Sequence, residues 1–557
     1  MRDLRGRVSG MFGLSAIMVL VAVLLALPIV TVAIHVFLPG QGTWSHLADT
    51  VLWQYIWNTV WLGVGTGIGV TVVGITTAWL VAMCRFPGRG VFQWALMLPL
   101  AVPAYVLAYT YTDFLQVAGP VQSMIRDLTG WTPHEYWFPN IRSLEGAIVL
   151  FVVVLYPYVY LLCRTAFLEQ SVCVQEASRT LGCGPWRSFS RVALPLARPA
   201  IAGGTALALM ETLADFGTVS FFGLPTFTTG IYRAWFSLGD RVAAAQLSTV
   251  LLGFVLVLVV MERWSRGGAR YHHTTGRYKR LPSYRLRGWR AGVAVTLCSI
   301  PLVLGFLLPA AILVNMAFID GDAQLGSRYL ELAWNSVSAA GLVAVLAVVL
   351  AVFLAYSVRL RPTALSVGTS RVASLGYAVP GSVIAVGILI PLSLFDNALD
   401  QWTRTTFGFS TGLLLTGSIV GLVYAYLVRF LAVSMNTVDA SLAKITPSMD
   451  GVARTLGLGP FRTLLRVHMP IMWGGLCTAG LIVFVDVMKE LPATLLLRPF
   501  NFDTLAVQAY NLAIDERLTE AATPSLAIVA AGLIPVVLLS RAISRARPGQ
   551  SGAAAAD

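Results

Sequence analysis

Four acidic residues occur as two pairs inside long apolar segments. Glu211 and Asp215 are four residues apart, as are Asp486 and Glu490, and Lys489 lies beside the second pair. A spacing of four puts two side chains on one face of a helix. Carboxylate oxygens suit hard cations, and ionisable residues within a membrane are costly enough to indicate a function. The pairs predict a cation path without a tight metal site, because a transported ion has to be released.

An internal repeat relates the two acid pairs. The first pair lies 275 positions before the second, and the same offset relates a polar, basic segment at 176–195 to another at 451–470. A constant offset without gaps indicates a duplicated chain. The outer acid of each pair lies 20 residues beyond Pro195 or Pro470, which is about 30 Å along a helix. We therefore expect the four acids to converge near the outer mouth of one path.

Each polar segment predicts two short helices joined by a turn. Gly182 is placed as a C-cap glycine, and Gly184-Pro185 begins a second short helix before Pro195 opens the next span. One such segment could be a simple solvated loop. Two matched copies favour a lever, which is a short helix across the membrane plane that is joined rigidly to a spanning helix and pushed by a partner.

The composition is that of a polytopic membrane protein. Of the 557 residues, 57% are hydrophobic and 12% are charged, compared with about 25% charged in a soluble domain. Many apolar runs reach the roughly 20 residues that a helix needs to cross a bilayer. We predict an all-α polytopic membrane protein with about 12 transmembrane helices in two tandem six-helix repeats.

The net charge of +13 fits membrane topology better than nucleic-acid binding. The arginines fall in alternate loops, which the positive-inside rule places in the cytoplasm. Arg359, Arg429 and Arg454 are among the residues assigned to that side. We expect a multi-pass protein with both termini and both polar segments in the cytoplasm and no nucleic-acid partner. The six cysteines predict neither disulfides nor a zinc site.

The repeated segment resembles the EAA loop of permease subunits of binding-protein-dependent ABC importers. Glu176-Ala177-Ser178, Gly182 and the closing Leu194-Pro195 fit that pattern. The second copy departs from it, because Gly451 replaces the glutamate and the acid is Asp450, one position earlier. The residues that this resemblance implies for ATPase coupling are Glu176, Ala177, Arg179, Gly182, Pro185, Asp450, Gly451, Arg454, Gly457 and Pro460.

The resemblance also implies partners. Two such loops imply a fused ABC importer permease in a bacterial inner membrane, served by two copies of an ABC ATP-binding subunit and a periplasmic substrate-binding protein. The chain has three lysines, Lys279, Lys444 and Lys489, and none follows a glycine. The G-x-x-x-x-G-K-[ST] loop that binds nucleotide phosphates is therefore missing. ATP and magnesium are expected on the partner, and neither catalytic residues nor a cofactor are expected in this chain.

The segments around the acids resemble fused permeases of ferric-iron importers. These segments are 211–220, 486–494 and 497–506. The residues implied along the substrate path are Glu211, Asp215, Asp486, Lys489 and Glu490. Thiamine and polyamines stay open as substrates, whereas an oxyanion would need helix N-termini to supply positive charge. Outside this class, the alternatives are a proton-coupled secondary transporter, which can also have parallel repeats, and a membrane scaffold without transport.

The predicted order has two permease repeats and a linker. It comprises a first repeat of six spans at 1–262 with its coupling loop at 175–195, a basic cytoplasmic linker at 263–290, a second repeat of six spans at 291–547 with its coupling loop at 450–470, and a disordered tail at 548–557. Among the spans, we expect the third at 91–112, the ninth at 372–395 and the tenth at 411–433.

Overall fold

The fold is helical, as predicted. The computed structural model describes residues 2–38, 42–170, 180–181, 184–266, 284–319 and 325–545. Within these ranges the only strands are Cys84–Arg85 and Tyr284–Arg285, which form one parallel pair. Ten helices are long and apolar enough to cross a membrane, or twelve if two bent helix pairs each count as one span.

The described residues form two compact units that each draw on both repeats. The first-repeat unit is taken from 50–229, 253–324 and 509–557, and the second-repeat unit from 1–49, 230–252 and 325–508. The first helix of each repeat therefore packs in the unit that is named for the other repeat. The repeat boundaries at 262 and 291 concern the duplicated sequence and stay a prediction.

Each unit has a core of three helices, and the two cores match at the predicted offset. In the first-repeat unit, Leu52–Met83 and Leu144–Glu169 pack on each other and on Arg198–Ala214. In the second-repeat unit, the mutually packed helices are Ser327–Leu360, Ile419–Leu442 and Met469–Met488. The starts of the first two helices in each core are 275 residues apart, so the duplication seen in the sequence is also present in the fold.

The other elements connect or flank these cores. The remaining α-helices are Arg2–His35, Thr43–Thr50, Arg89–Ala95, Ala104–Leu115, Pro120–Thr129, Pro185–Ser188, Leu194–Leu196, Gly217–Phe221, Phe227–Tyr232, Arg241–Arg266, Trp289–Leu302, Leu308–Val314, Ala364–Leu375, Gly381–Phe407, Pro447–Thr455, Pro460–Thr463, Pro492–Leu497, Leu505–Ile514 and Leu518–Arg545. The 3-10 turns are Leu98–Ala101 and Gly376–Ala378, and the π-helical turns are Phe189–Ala193, Arg233–Ser237, Val303–Leu307, Asn315–Ile319 and Leu464–His468.

Prolines break two of the predicted spans. The third span, expected as one helix at 91–112, is a pair of helical stretches bent by 91°. The break falls at Val102, whose backbone is extended, immediately before Pro103. The ninth span, expected at 372–395, is likewise divided into two helices at Val379-Pro380. A proline drives the preceding residue out of the helical region, which explains both breaks.

The tenth span lies further along the chain than predicted. We expected it at 411–433, but its helix is Ile419–Leu442. Gly408, Gly412 and Gly417 all have positive φ and form a turn-rich connection before it. The apolar residues within that connection made the predicted span begin too early. Arg429, which lay near the end of the predicted span and was assigned to the cytoplasmic side, therefore lies within the first half of this helix.

The first helix of the chain is seated in the second-repeat unit. Arg2–His35 packs on Ala364–Leu375 and Gly381–Phe407. Thr249 donates a hydrogen bond of 2.9 Å to the Val32 carbonyl. Gly387 lies so close to the carbonyl oxygen of Pro28 that an added Cβ would overlap it.

Gly387→Ala is expected to destabilise the protein by about 1–3 kcal/mol, because the first helix must move away from its seat. Gly341→Ala is the matched control, since Gly341 is also helical and nothing lies within 4 Å of its added Cβ. That control should be neutral or slightly stabilising, because alanine exceeds glycine in helix propensity by about 1 kcal/mol. Thermal unfolding of the purified chain in detergent measures both, and equal melting temperatures would contradict the close packing.

Candidate functional site

The second polar segment has the predicted helix-turn-helix form. The helix Pro447–Thr455 ends before Gly457, whose φ of 77° is left-handed and whose amide donates to the Arg454 carbonyl at 3.0 Å. The next helix is Pro460–Thr463. A glycine in this conformation is the usual end of a helix, so the predicted turn is confirmed for this copy.

Part of the first polar segment, residues 176–179 and 182–183, lies outside the described residues. This applies to Glu176, Ala177, Arg179 and Gly182. Pro185 begins the helix Pro185–Ser188, as predicted. The second short helix that the sequence predicts is found as one α-helical turn, which starts at Pro185, followed by a π-helical turn.

A π-helical turn precedes the spanning helix in both copies. The turns are Phe189–Ala193 and Leu464–His468, and they are followed two residues later by Pro195 and Pro470. Proline lacks an N–H and clashes with the carbonyl four residues before it, so a wider turn relieves the clash. The joint between segment and span is therefore built in the same way in each repeat.

The two joints differ in how they continue into the membrane. In the first copy, the stretches Trp186–Leu196 and Arg198–Ala214 are bent by 68°. In the second copy, Pro460–Met488 runs as one span. Pro199 follows the bend, whereas the residue at the corresponding position of the second repeat is Gly474. The joint between the short helix and the spanning helix is thus bent in the first copy and continuous in the second.

Asp450 holds the second polar segment in place. Its carboxylate accepts hydrogen bonds from Arg359 at 2.8 and 3.1 Å, and Nε2 of the buried His468 lies 2.7 Å from its other oxygen. Arg359 also donates to the carbonyls of Leu442 and Ile445. These contacts tie the segment to the ends of two core helices and to the π-helical turn.

The same segment exposes a mixed apolar and basic face. Gly451, Arg454 and Pro460 are exposed, and so are the apolar side chains of Val452 and Leu456. An exposed apolar patch bordered by polar residues is typical of a protein interface. This face is separate from the Asp450 contacts, which point into the unit.

Asp215 and Glu490 were predicted to share a helical face with the inner acid of each pair. This prediction is wrong, because each spanning helix ends before its outer acid. The helices end at Ala214 and Met488. Asp215 then accepts hydrogen bonds from the Thr218 and Val219 amides at 2.9 and 3.3 Å. An acid at the start of the next short helix satisfies amides that the helix itself leaves unpaired.

Glu490 is used in the same way in the second repeat. It accepts from the amides of Ala493 and Thr494 at 3.0 and 3.1 Å. Asp215 and Glu490 therefore each lie at the start of a short helix that follows a spanning helix. The short helices are Gly217–Phe221 in the first repeat and Pro492–Leu497 in the second. The i, i+4 spacing marked a repeated turn and not a continuous helical face.

Both acids of the second repeat pair with a cation. Asp486 lies 2.9 Å from Lys489. Nη1 of Arg429 lies 3.5 Å from Oε1 of Glu490, and the two side chains are only 9% and 2% exposed. Arg429 had been assigned to the cytoplasmic side, and this buried pair corrects that assignment. Its sequence signal was a single arginine within a long apolar stretch.

The surroundings of Asp215 are different. No cation pairs with its carboxylate among the residues that the structure describes. The Tyr109 ring lies 5.8 Å from the Tyr105 ring and 4.7 Å from the ring of Phe221, which ends the short helix that Asp215 begins. The Tyr109 hydroxyl is buried and has no hydrogen-bond partner within the described chain. These tyrosines were not among the predicted substrate-path residues, because aromatic residues in apolar spans are usually packing residues.

The described part of the chain contains no group of three His, Cys, Asp or Glu side chains arranged to hold a metal. Glu211 is half-buried on the last turn of its helix. The convergence of Glu211, Asp215, Asp486 and Glu490 on one path stays a prediction.

The chain is similar to known transport proteins. Residues 70–264 match the family described as binding-protein-dependent transport system inner membrane component. The Fe(3+)-transport system permease protein FbpB 2 of Haemophilus influenzae is 26% identical over 477 residues, which cover 85% of this chain and 87% of that protein. The molybdenum transport system permease protein ModB of Escherichia coli is 31% identical over 197 residues, which cover 34% of this chain and 83% of that protein. The ferric transport system permease protein FbpB of Actinobacillus pleuropneumoniae is 22% identical, covering 75% of this chain and 60% of that protein.

Proposed function

Because this chain belongs to the binding-protein-dependent transport system inner membrane components, a family of transport permeases, we propose that it carries ferric iron across a bacterial inner membrane. The observation that carries the choice of substrate is the similarity to a ferric permease across 85% of the chain. The similarity to the molybdenum permease covers 34%. An acid-lined path also suits a cation better than an oxyanion.

The proposed energy source is a pair of separate ATP-binding subunits. The exposed face around Val452, Arg454 and Leu456 supports this, since it offers apolar surface and positive charge to a partner. The Asp450 contacts to Arg359 and His468 transmit a push on this face into the core helices. A substrate-binding protein on the other side of the membrane delivers the ion. Both termini and both polar segments then face the cytoplasm.

Uptake by reconstituted vesicles tests this proposal. The full chain is reconstituted with its ATPase subunits, and its substrate-binding protein is supplied with radiolabelled ferric iron. We expect uptake that requires ATP and the binding protein. Uptake driven by a proton gradient without ATPase subunits would instead support a secondary transporter. If ferric iron is not accumulated, uptake of radiolabelled thiamine, polyamine or molybdate in the same vesicles identifies the substrate.

The acids are expected to contribute to ion transfer. We predict that Glu211→Gln combined with Asp215→Asn lowers iron uptake by about tenfold, equivalent to about 1.4 kcal/mol. Amides are used because Asn at position 215 can still accept from the Thr218 amide and keep the turn. Glu145→Gln, in the first turn of the helix Leu144–Glu169, is the matched control. Unchanged uptake by the double variant would remove the proposed role of these acids.

A further inference from the structure

The unpartnered hydroxyl of Tyr109 is the starting observation. The residue is 3% exposed on the helix Ala104–Leu115, and its hydroxyl oxygen has no hydrogen-bond partner in the described chain. A buried polar group without a partner loses the hydrogen bond it would make to water, which destabilises the fold. Tyr111, two residues further on, shows the usual arrangement, because its hydroxyl donates to the Leu304 carbonyl at 2.6 Å.

Oxygen-bearing side chains surround the short helix Gly217–Phe221, against which Tyr109 packs. The Tyr109 ring lies 4.7 Å from the Phe221 ring, and the Asp215 carboxylate accepts a hydrogen bond from an amide at the start of this helix. The Tyr105 and Tyr109 rings are 5.8 Å apart, and Tyr510 is held by a hydrogen bond of 3.0 Å to the Ser220 hydroxyl. Carboxylate and phenol oxygens are hard ligands. The cluster is thus composed of ligands that suit a hard cation.

Asp215 retains capacity for a ligand. Its Oδ1 accepts from two amides and its Oδ2 from the Thr218 hydroxyl at 3.1 Å. A carboxylate has about four lone-pair sites, so one site remains after these three bonds. The residue is also partly exposed, whereas Tyr109 is buried. The turn therefore fixes the carboxylate without saturating it.

The second repeat lacks this arrangement. The residue 275 positions after Tyr109 is Ile384, which has no oxygen in its side chain. The residue that corresponds to Asp215 is Glu490, which is paired with Arg429. A guanidinium group at that distance neutralises the carboxylate and repels a metal cation. Of the two repeats, only the first keeps an oxygen cluster without an adjacent cation among the described residues.

We propose that Tyr109, Asp215 and Tyr510 form a contact site for a hard trivalent cation in the first-repeat unit. This inference rests on the proposed transport of ferric iron and gives the two repeats different roles. The first-repeat unit supplies oxygen ligands to the ion, two from the first repeat and one, Tyr510, from the end of the second repeat. The second repeat uses its outer acid for structure. The missing partner of the Tyr109 hydroxyl is then the transported ion.

Tyr109→Phe tests the site, because it removes one oxygen and keeps the ring. In the vesicle assay with radiolabelled ferric iron, we expect uptake per hydrolysed ATP to fall about tenfold. The melting temperature should stay equal or rise, since an unpaired buried hydroxyl is removed. Tyr111→Phe is the matched control on the same helix. It should lower the melting temperature while uptake per folded molecule is retained.

The outcomes separate this inference from the proposed function. If the wild-type chain accumulates iron and Tyr109→Phe does so equally well, the contact site is wrong and the proposed function stands. If Tyr109→Phe loses melting temperature as well as uptake, the hydroxyl serves the fold and the site is also wrong. If the wild-type chain does not accumulate iron under ATP, the proposed function fails, and the site fails with it. Equilibrium dialysis of the detergent-solubilised full chain against radiolabelled ferric citrate gives a second readout, in which Tyr109→Phe should bind more weakly.

Discussion

Replacing Arg429 with alanine is expected to destabilise the protein by about 3–5 kcal/mol, because the change leaves the Glu490 carboxylate buried without a counter-ion. The two side chains are 9% and 2% exposed. Glu490 also accepts from the Ala493 and Thr494 amides and so begins the short helix Pro492–Leu497. An uncompensated charge at this point would disturb the connection as well as the pair. We expect most of the variant chain to be degraded or to aggregate.

The double variant Arg429→Met with Glu490→Gln separates charge from shape. It removes both charges and keeps side chains of similar length, and the amide oxygen of glutamine can still accept from the backbone. Replacing a buried ion pair by neutral residues is often neutral or stabilising. We therefore expect the double variant to recover most of the stability that Arg429→Ala loses. Recovery shows that the penalty comes from the unpaired carboxylate.

An exposed pair provides the comparison. Arg404 lies 2.7 Å from Asp400 and is 63% exposed. Pairs of this kind contribute about 0–1 kcal/mol, so Arg404→Ala should change the melting temperature little. Membrane abundance and thermal unfolding in detergent measure all three variants. A stable Arg429→Ala chain with a normal melting temperature would show that the Glu490 carboxylate is not dependent on this pair.

The duplication could be predicted from sequence in considerable detail, because its signals are local. The constant offset of 275 residues predicted two matched helical cores and two matched polar segments. The helix end predicted at Gly182 corresponds by this offset to Gly457, which ends the second polar helix. The breaks at Val102-Pro103 and Val379-Pro380 could also have been predicted, since each proline was visible within its apolar run. The predicted spans followed the continuous hydropathy and so ran through both prolines.

The partners of buried charges could not be predicted in this way. Arg429 and Glu490 are 61 residues apart, and the pairing depends on how two helices are placed against each other. Asp450 and Arg359 are separated by 91 residues. Asp450 was predicted to be a contact for the ATPase because it lies in a docking segment. The Asp450 side chain points into the unit and contacts His468, and sequence spacing alone does not predict this contact.

These contacts change how the repeats should be compared. A duplicated sequence suggests that both halves do the same work. The described residues instead show a bent joint beside Pro199 in one repeat and a straight one in the other. They also show an acid that begins a helix packed against Tyr109 in the first repeat, and an acid paired with an arginine in the second. Substitutions at matched positions should therefore have unequal effects, which a symmetric mechanism would not produce.

Asp450→Ala is expected to reduce iron uptake by more than about tenfold and to destabilise the protein by about 3 kcal/mol, because the charged Arg359 and the buried His468 lose a shared hydrogen-bond partner. Arg359 would keep its carbonyl acceptors at Leu442 and Ile445, and His468 would lose its partner. The hydrogen bond from Tyr356 to the Pro460 carbonyl would remain, so the second polar segment would be coupled less tightly to the core helices. Asp439→Ala is the control, since Asp439 is exposed at the end of a core helix in the same unit.

A double-mutant cycle decides whether Asp450 positions the segment or contacts the partner directly. If it acts through Arg359, then Arg359→Met and Asp450→Asn should have similar effects on uptake, and the double variant should be little worse than either single one. The interaction free energy should be about 1–3 kcal/mol, as found for residues of one ion-pair network. Direct contact with the ATPase predicts additive losses, and it predicts weaker ATPase binding for Asp450→Asn while Arg359→Met binds normally. Co-purification of the ATPase subunit with each variant, measured beside uptake, distinguishes the two roles.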